Sequence, residues 1–129
     1  MLFLLLVLAC GHSTSTAAPV PVVAEVEPPA PVVETAKVTA YTANCKGCIG
    51  ITRDGTPAES HRRILAADPR YYPMGTKVEL TFPDGDVKVY TVRDTGGAIK
   101  GPNRFDMLVK TESFAVKWGV QQVNFRVVE

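Results

Sequence analysis

Apolar and polar residues alternate along much of the chain after residue 36, and a period of two residues is typical of half-buried β-strands. The alternation is clearest over 37–42, 77–82 and 87–92. The last two segments are joined by Pro-Asp-Gly-Asp at 83–86. Proline fixes φ and Asp-Gly supplies a positive-φ pair, so this tetrapeptide predicts a tight turn and the two strands a β-hairpin.

Shorter apolar runs predict the remaining strands. They cover residues 63–67, 105–109 and 122–128. Between the last two, Thr111 has the character of a helix N-cap, and the following helix would end at Gly119. The domain is thus expected to contain about six strands and one short helix in some ninety residues, with no βαβ alternation. This pattern predicts an all-β fold in the form of a small closed or nearly closed barrel.

The first ten residues, MLFLLLVLAC, are apolar throughout. A transmembrane helix needs about 20 such residues, so the segment fits the core of a secretory signal. Its end, Val7-Leu8-Ala9-Cys10, resembles a bacterial lipobox, in which cleavage precedes a cysteine that then carries lipid. There are two alternatives: a secretory signal without lipidation, in which Cys10 is incidental, and a wrongly assigned start codon.

Residues 11–36 are rich in Ser, Thr, Ala, Pro and Val, and five of the ten prolines lie between Pro19 and Pro31. This composition predicts an extended tether without a fold of its own, which leaves residues 37–129 as the domain. The domain holds all fourteen Lys and Arg against ten acids, about +4, while the whole chain is near neutral at +1. The near-neutral chain does not predict a nucleic-acid partner. The excess of positive charge in the domain slightly favours an anionic partner, such as a cell-wall polymer.

Three acids lie where strands run into turns. Asp94 opens the Gly-rich segment 94–101, Asp106 interrupts the apolar run 104–109, and Asp68 ends another run before a proline. Each has an ordinary structural interpretation: a turn cap for Asp94, a solvent-facing strand position for Asp106, and turn initiation for Asp68. Together they form a set of carboxylates that one small barrel could gather.

Several motifs together resemble the 3D domain family, which is named for three aspartates and is similar to the catalytic region of membrane-bound lytic transglycosylase A and to stationary-phase survival and resuscitation-factor proteins. The motifs are VTAYT at 38–42, CKGCIGIT at 45–52, AADP at 66–69, PMGT at 73–76, DTGGAIKG at 94–101, then Asp106, and Ala115, Trp118 and Gly119. The resemblance implies a double-psi β-barrel, a peptidoglycan substrate, and Asp68, Asp94 and Asp106 as the name-giving acids.

The same resemblance implies cleavage of the bond between N-acetylmuramic acid (MurNAc) and N-acetylglucosamine (GlcNAc), leaving a 1,6-anhydro ring. Asp106 would be the acid and base, Asp94 the close second carboxylate, and Asp68 the third, holding the network or the sugar. A carboxylic acid stays protonated near neutral pH when burial and neighbouring acids disfavour its anion. Among the substrate-binding candidates, Thr95, Gly96 and Gly97 would contact the sugar. Lys100 would pair with the lactyl or peptide carboxylate, with a solvated lysine as the alternative. Tyr41 and Thr42 would line the cleft.

The pair Cys45 and Cys48 predicts a local disulfide in an exported protein. Zinc would need two further ligands, of which only His61 is nearby, and thioredoxin-like chemistry lacks its βαβ context. Free thiols are the remaining alternative. Trp118 is expected in the core beneath the helix, and no metal or cofactor is expected.

Two rival functions stay open. Asp94-Thr95-Gly96 is also the triplet of aspartic proteases, which in one small chain would require a homodimer. A barrel of this kind could also bind wall glycan without cutting it. We expect an exported, monomeric enzyme of the cell envelope. It would be lipid-anchored through Cys10 at the outer membrane and face the periplasm, with peptidoglycan glycan strands as its partner.

Overall fold

The computed structural model describes Gly11 and residues 32–128. The predicted signal with Cys10, and nearly all of the predicted tether, lie outside the described residues. The first strand begins at Glu34, three residues before the expected domain boundary. Ala36 is fully buried there and pairs with Val123 of the last strand, so the barrel starts inside the segment predicted as tether.

Six strands close into a ring, which confirms the predicted small double-psi β-barrel. Their order around the ring is β1-β5-β2-β4-β3-β6. Within this ring of described strands, β1–β5 and β2–β4 pair in parallel and the other neighbours pair antiparallel. The strands are β1 (Glu34–Tyr41), β2 (Ile64–Ala66), β3 (Lys77–Thr81), β4 (Val87–Asp94), β5 (Arg104–Leu108) and β6 (Gln121–Val127), with a 3-10 turn at Ser60–Arg62 and one helix, α1 (Glu112–Trp118).

The predicted hairpin and helix are both present. β3 and β4 pair in register across the turn, where Gly85 has φ +89°. Thr111 caps α1 by accepting the N–H of Phe114 at 3.2 Å. Because the predicted turn and cap depend on residues within the same few positions, local sequence was sufficient to locate them.

Aromatic rings fill the inside of the barrel. Phe105 and Phe125 meet edge to face with centroids 4.9 Å apart, and Tyr72 packs on both. Trp118 is only partly buried, but it packs on this core, and its indole N–H donates to the carbonyl of Val38 at 3.0 Å. That bond ties α1 to β1, and the prediction of Trp118 as a core residue is met only in part, because α1 has no fully buried side chain.

Gly11 and residues 32–128 contain neither a membrane-spanning helix nor a cluster of metal-ligating side chains. No helix there has the length and apolar character to cross a bilayer. No group of three or more His, Cys, Asp or Glu side chains in that part of the chain could hold a metal ion.

Candidate active site

The pairing of the strands places Asp94 and Asp106 at the same height along the barrel, which we call one level. On β2, Ala66 pairs with Asp106 of β5 on one side and with Asp94 of β4 on the other. Since neighbouring strands lie about 4.8 Å apart, the two acid-bearing backbones are separated by roughly 10 Å. β2 is therefore the strand that sets the spacing of the two predicted acids.

Asp94 is held as a hydrogen-bond acceptor on both oxygens. The hydroxyl of Tyr41 donates to its Oδ2 at 2.9 Å. The main-chain N–H groups of Arg53 and Thr95 donate to its Oδ1 at 3.0 and 2.9 Å. Three donors converging from β1, from the loop after it and from the turn after β4 fix the position of this carboxylate.

Asp94, Tyr41 and Thr95 form one side of a small cleft of about 190 Å³, and residues 47–51 form much of the other. Burial, followed by the charge of Asp94, raises the pKa of the Tyr41 hydroxyl well above its ordinary value. Tyr41 therefore stays protonated at neutral pH and remains a donor. Tyr41, Thr95 and Asp94, three of the predicted site residues, all line this cleft.

Asp106 lies on β5 and is half-buried. It does not line the cleft, but it is close enough for its charge to act on Tyr41 and for the charge of Asp94 to act on it. The Thr39 hydroxyl donates to its Oδ1 at 2.9 Å. Burial raises its pKa; the Thr39 hydrogen bond and the charge of Arg104 act against that rise, and the charge of Asp94 adds to it. The net pKa is raised, as expected, although burial rather than crowding by other acids is the first cause.

Asp68 has different surroundings. Its side chain is 1% exposed and accepts hydrogen bonds from the Arg70 guanidinium at 2.7–3.2 Å. The N–H groups of Arg70 and Gly101 also donate to it. These bonds, led by the Arg70 side chain, hold its pKa well below the usual range. Nothing in these contacts supports the expectation that Asp68 touches a sugar. Its carboxylate instead fixes the turn after β2 and the end of the segment 94–101.

The other predicted sugar contacts in that segment lie outside the cleft. A Cβ at Gly96 would come within 2.7 Å of the Ile99 side chain, so this glycine is needed for packing. Gly97 and Lys100 are exposed. The Gly-rich segment thus owes its composition at least in part to the fold of the turn.

Thr42 also faces away from the cleft. It is buried, and its hydroxyl donates to Glu112 of α1 at 3.3 Å. Neighbouring residues on extended backbone point to opposite sides, so Tyr41 and Thr42 could not both line the same cleft.

The loop after β1, residues 43–58, carries the far wall of the cleft, and we call it the cleft loop. Cys45 and Cys48 are joined in it by a disulfide with a Cα–Cα distance of 5.1 Å. At its other end, Arg93 of β4 binds Asp54 at 3.0 Å. Sequence reasoning missed the roles of Arg53 and Thr39. The alternation that put Tyr41 on the outer face of β1 could have put Thr39 there too.

Fold and site together define a small closed barrel with two carboxyl groups at one level beside a loop-walled cleft. The model of the 3D domain family matches residues 63–129, and the chain belongs to that family.

Two relatives from Bacillus subtilis are similar over most of this chain. The chain is 40% identical over 96 residues to the cell wall-binding protein YocH, covering 73% of this chain and 32% of YocH. It is 35% identical over 98 residues to YabE, whose name refers to cell wall shaping, covering 74% of this chain and 23% of YabE. The chain therefore spans a third or less of the length of these relatives.

Solved structures show the same fold. Escherichia coli MltA with bound chitohexaose aligns with a TM-score of 0.51 at 22% identity, over 60% of this chain and 27% of MltA. The Streptomyces papain inhibitor aligns with a TM-score of 0.55 at 22% identity, over 80% of this chain and all of the inhibitor. At this identity the likeness concerns architecture alone, and one fold can serve several functions.

Proposed function

We propose that this chain is a lytic transglycosylase that cleaves the MurNAc–GlcNAc bond of peptidoglycan and leaves a 1,6-anhydro-MurNAc end. The observation that carries the proposal is the pairing of a half-buried Asp106, whose pKa is raised, with a fixed carboxylate at Asp94 on the same barrel level. Two carboxyl groups with divided roles suit glycosidic bond cleavage.

The first step needs an acid. Protonated Asp106 gives its proton to the oxygen that bridges C1 of MurNAc and GlcNAc, and the bond from C1 to that oxygen breaks. Positive charge develops at C1 as the bond breaks. The Asp94 carboxylate, held by Tyr41 and by two N–H groups, provides a fixed negative charge nearby that stabilises it.

The second step needs a base. The Asp106 carboxylate removes the proton from the C6 hydroxyl of the same MurNAc while O6 bonds to C1. Asp106 ends protonated, ready for another cycle, and no water is consumed. One side chain can therefore serve both proton transfers, provided that its pKa lies high enough for the acid form to be populated.

The relatives support a cell-wall substrate. YocH is named as cell wall-binding, and MltA was solved with a chitohexaose, an N-acetylglucosamine oligomer. The name of YocH also favours a second candidate, a module that binds wall glycan without cutting it. The two candidates differ in whether covalent products appear.

Digestion of purified sacculi, with the released muropeptides separated and weighed by mass spectrometry, tests the proposal. Anhydro ends support a transglycosylase; reducing ends would indicate a hydrolase. Sedimentation with sacculi and no release would indicate a binder. Asp106→Asn should lower anhydro release by about 10²–10⁴-fold, since it removes an acid–base group. The amide oxygen can still accept from Thr39, so folding is preserved. The matched control is Asp84→Asn, in the exposed β3–β4 turn, which should digest like the unmodified chain.

The cell-wall relatives also support export, and we propose that Cys10 anchors the chain to the envelope through lipid. Labelled palmitate should be incorporated in cells, and Cys10→Ser should abolish it. Labelling that persists in the Cys10→Ser chain would refute the anchor without affecting the enzyme proposal.

A further inference from the structure

Two isoleucines of the cleft loop have exposed side chains that do not belong to the hydrophobic core. Ile49 is 82% exposed and Ile51 55% exposed, yet both line the cleft that contains Asp94 and Tyr41. Exposed apolar side chains are common singly, but two of them on the wall of a polar cleft point to contact with a ligand.

The backbone that carries these side chains is held in place relative to the acids. Ile51 forms a β-bridge with Pro57, and the N–H of Ala58 donates to the carbonyl of Gly50 at 2.9 Å. Two positions further along, the N–H of Arg53 donates directly to the Asp94 carboxylate. The segment from Ile51 to Arg53 is therefore hydrogen-bonded along its length and is fixed to the Asp94 carboxylate at its end.

From this placement we infer that Ile49 and Ile51 form an apolar lip that keeps water away from C1 of the bound MurNAc and so determines that the sugar closes on itself. The inference rests on the proposed transglycosylase function. It makes the isoleucines specificity-determining residues, which select the product and transfer no proton.

The chemistry explains why such a lip matters. After the bond from C1 to the bridging oxygen breaks, two nucleophiles compete for C1. Attack by O6 of the same sugar, with its proton passing to Asp106, gives the anhydro ring. Attack by water, with its proton passing to Asp106, gives a reducing end with a new hydroxyl on C1. The intramolecular route has the advantage of proximity, and excluding water increases that advantage.

The test uses Ile49→Thr and Ile51→Thr, singly and combined, which keep the β-branched shape and add a hydroxyl. The matched control is Val116→Thr, an exposed apolar position on α1 that does not line the cleft. Sacculi are digested in H₂¹⁸O, and mass spectrometry counts anhydro ends against ¹⁸O-labelled reducing ends.

We expect the combined variant to raise the ratio of reducing to anhydro ends by about tenfold, the scale of one altered apolar contact in a binding pocket. Val116→Thr should leave the ratio unchanged. An active combined variant with the original ratio would overturn the lip while leaving the transglycosylase intact. A combined variant that folds and releases nothing would also overturn it, since the lip would then position glycan instead of excluding water. An unmodified chain that releases no anhydro ends would refute the proposed function itself.

Discussion

Replacing Tyr41 with phenylalanine tests whether the hydroxyl that connects β1 to Asp94 organises the site. The substitution keeps the ring and removes one oxygen, which donates to Asp94 Oδ2 at 2.9 Å. A hydrogen bond to a charged group contributes about 1.5–3 kcal/mol to stability. The site is only half-buried and water can replace part of the bond, so we expect a loss of about 1–2 kcal/mol in the free energy of unfolding.

Urea denaturation measures that loss, and a double-mutant cycle with Asp94→Ala isolates it, because either substitution removes the bond between the two side chains. The control is Tyr71→Phe. Tyr71 is exposed, and its hydroxyl makes no hydrogen bond to another described residue, so this variant should unfold like the unmodified chain. The reasoning fails if Tyr41→Phe and Asp94→Ala prove additive, since additive effects would mean that no coupling exists between the two groups.

Three further results are expected. Asp94→Asn removes a charge that raises the pKa of Asp106, so the alkaline limb of the pH–activity profile should move to lower pH; an unmoved limb would contradict the coupling. Asp68→Asn should lower the urea midpoint at pH 7. Because the folded pKa of Asp68 lies below its unfolded value, this stabilisation is lost as pH falls, and the gap from the unmodified chain should close in acid. Trp118→Phe loses one hydrogen bond to β1, and urea unfolding should show a cost of about 1 kcal/mol or more.

The strands were predictable because alternation is a local property that the barrel uses directly. The exception is the start of β1, where the Pro- and Val-rich composition before residue 36 concealed a real strand. Thr35 and Ala36 pair with Asn124 and Val123 of β6, almost ninety positions away. Pairing over that distance cannot be recognised from the composition of either segment alone.

The acids were predictable by type and position, but not by partner. Asp106 and Asp94 lie at one level because both pair with Ala66, and that register depends on the ring order of the strands. Asp68 looked equivalent to them in sequence. Arg70, two residues further on, was the available sign that this acid has a counter-ion of its own, and in the structure it binds Asp68 through its side chain.

The structure also explains why the three acids belong together when only two lie near the cleft. Asp94 opens the segment 94–101, and Asp68 accepts the N–H of Gly101 at its end. The residue between β2 and Asp68 adds a second connection, because the N–H of Ala67 donates to the carbonyl of Asp94 at 3.1 Å. We therefore expect Asp68 to position Asp94 through the turn rather than to contact the substrate. A positioning role predicts that Asp68→Asn lowers activity only as far as it disturbs Asp94, with the shape of the pH profile kept. A direct role in proton transfer would change that shape, so the pH profile of this one variant separates the two roles.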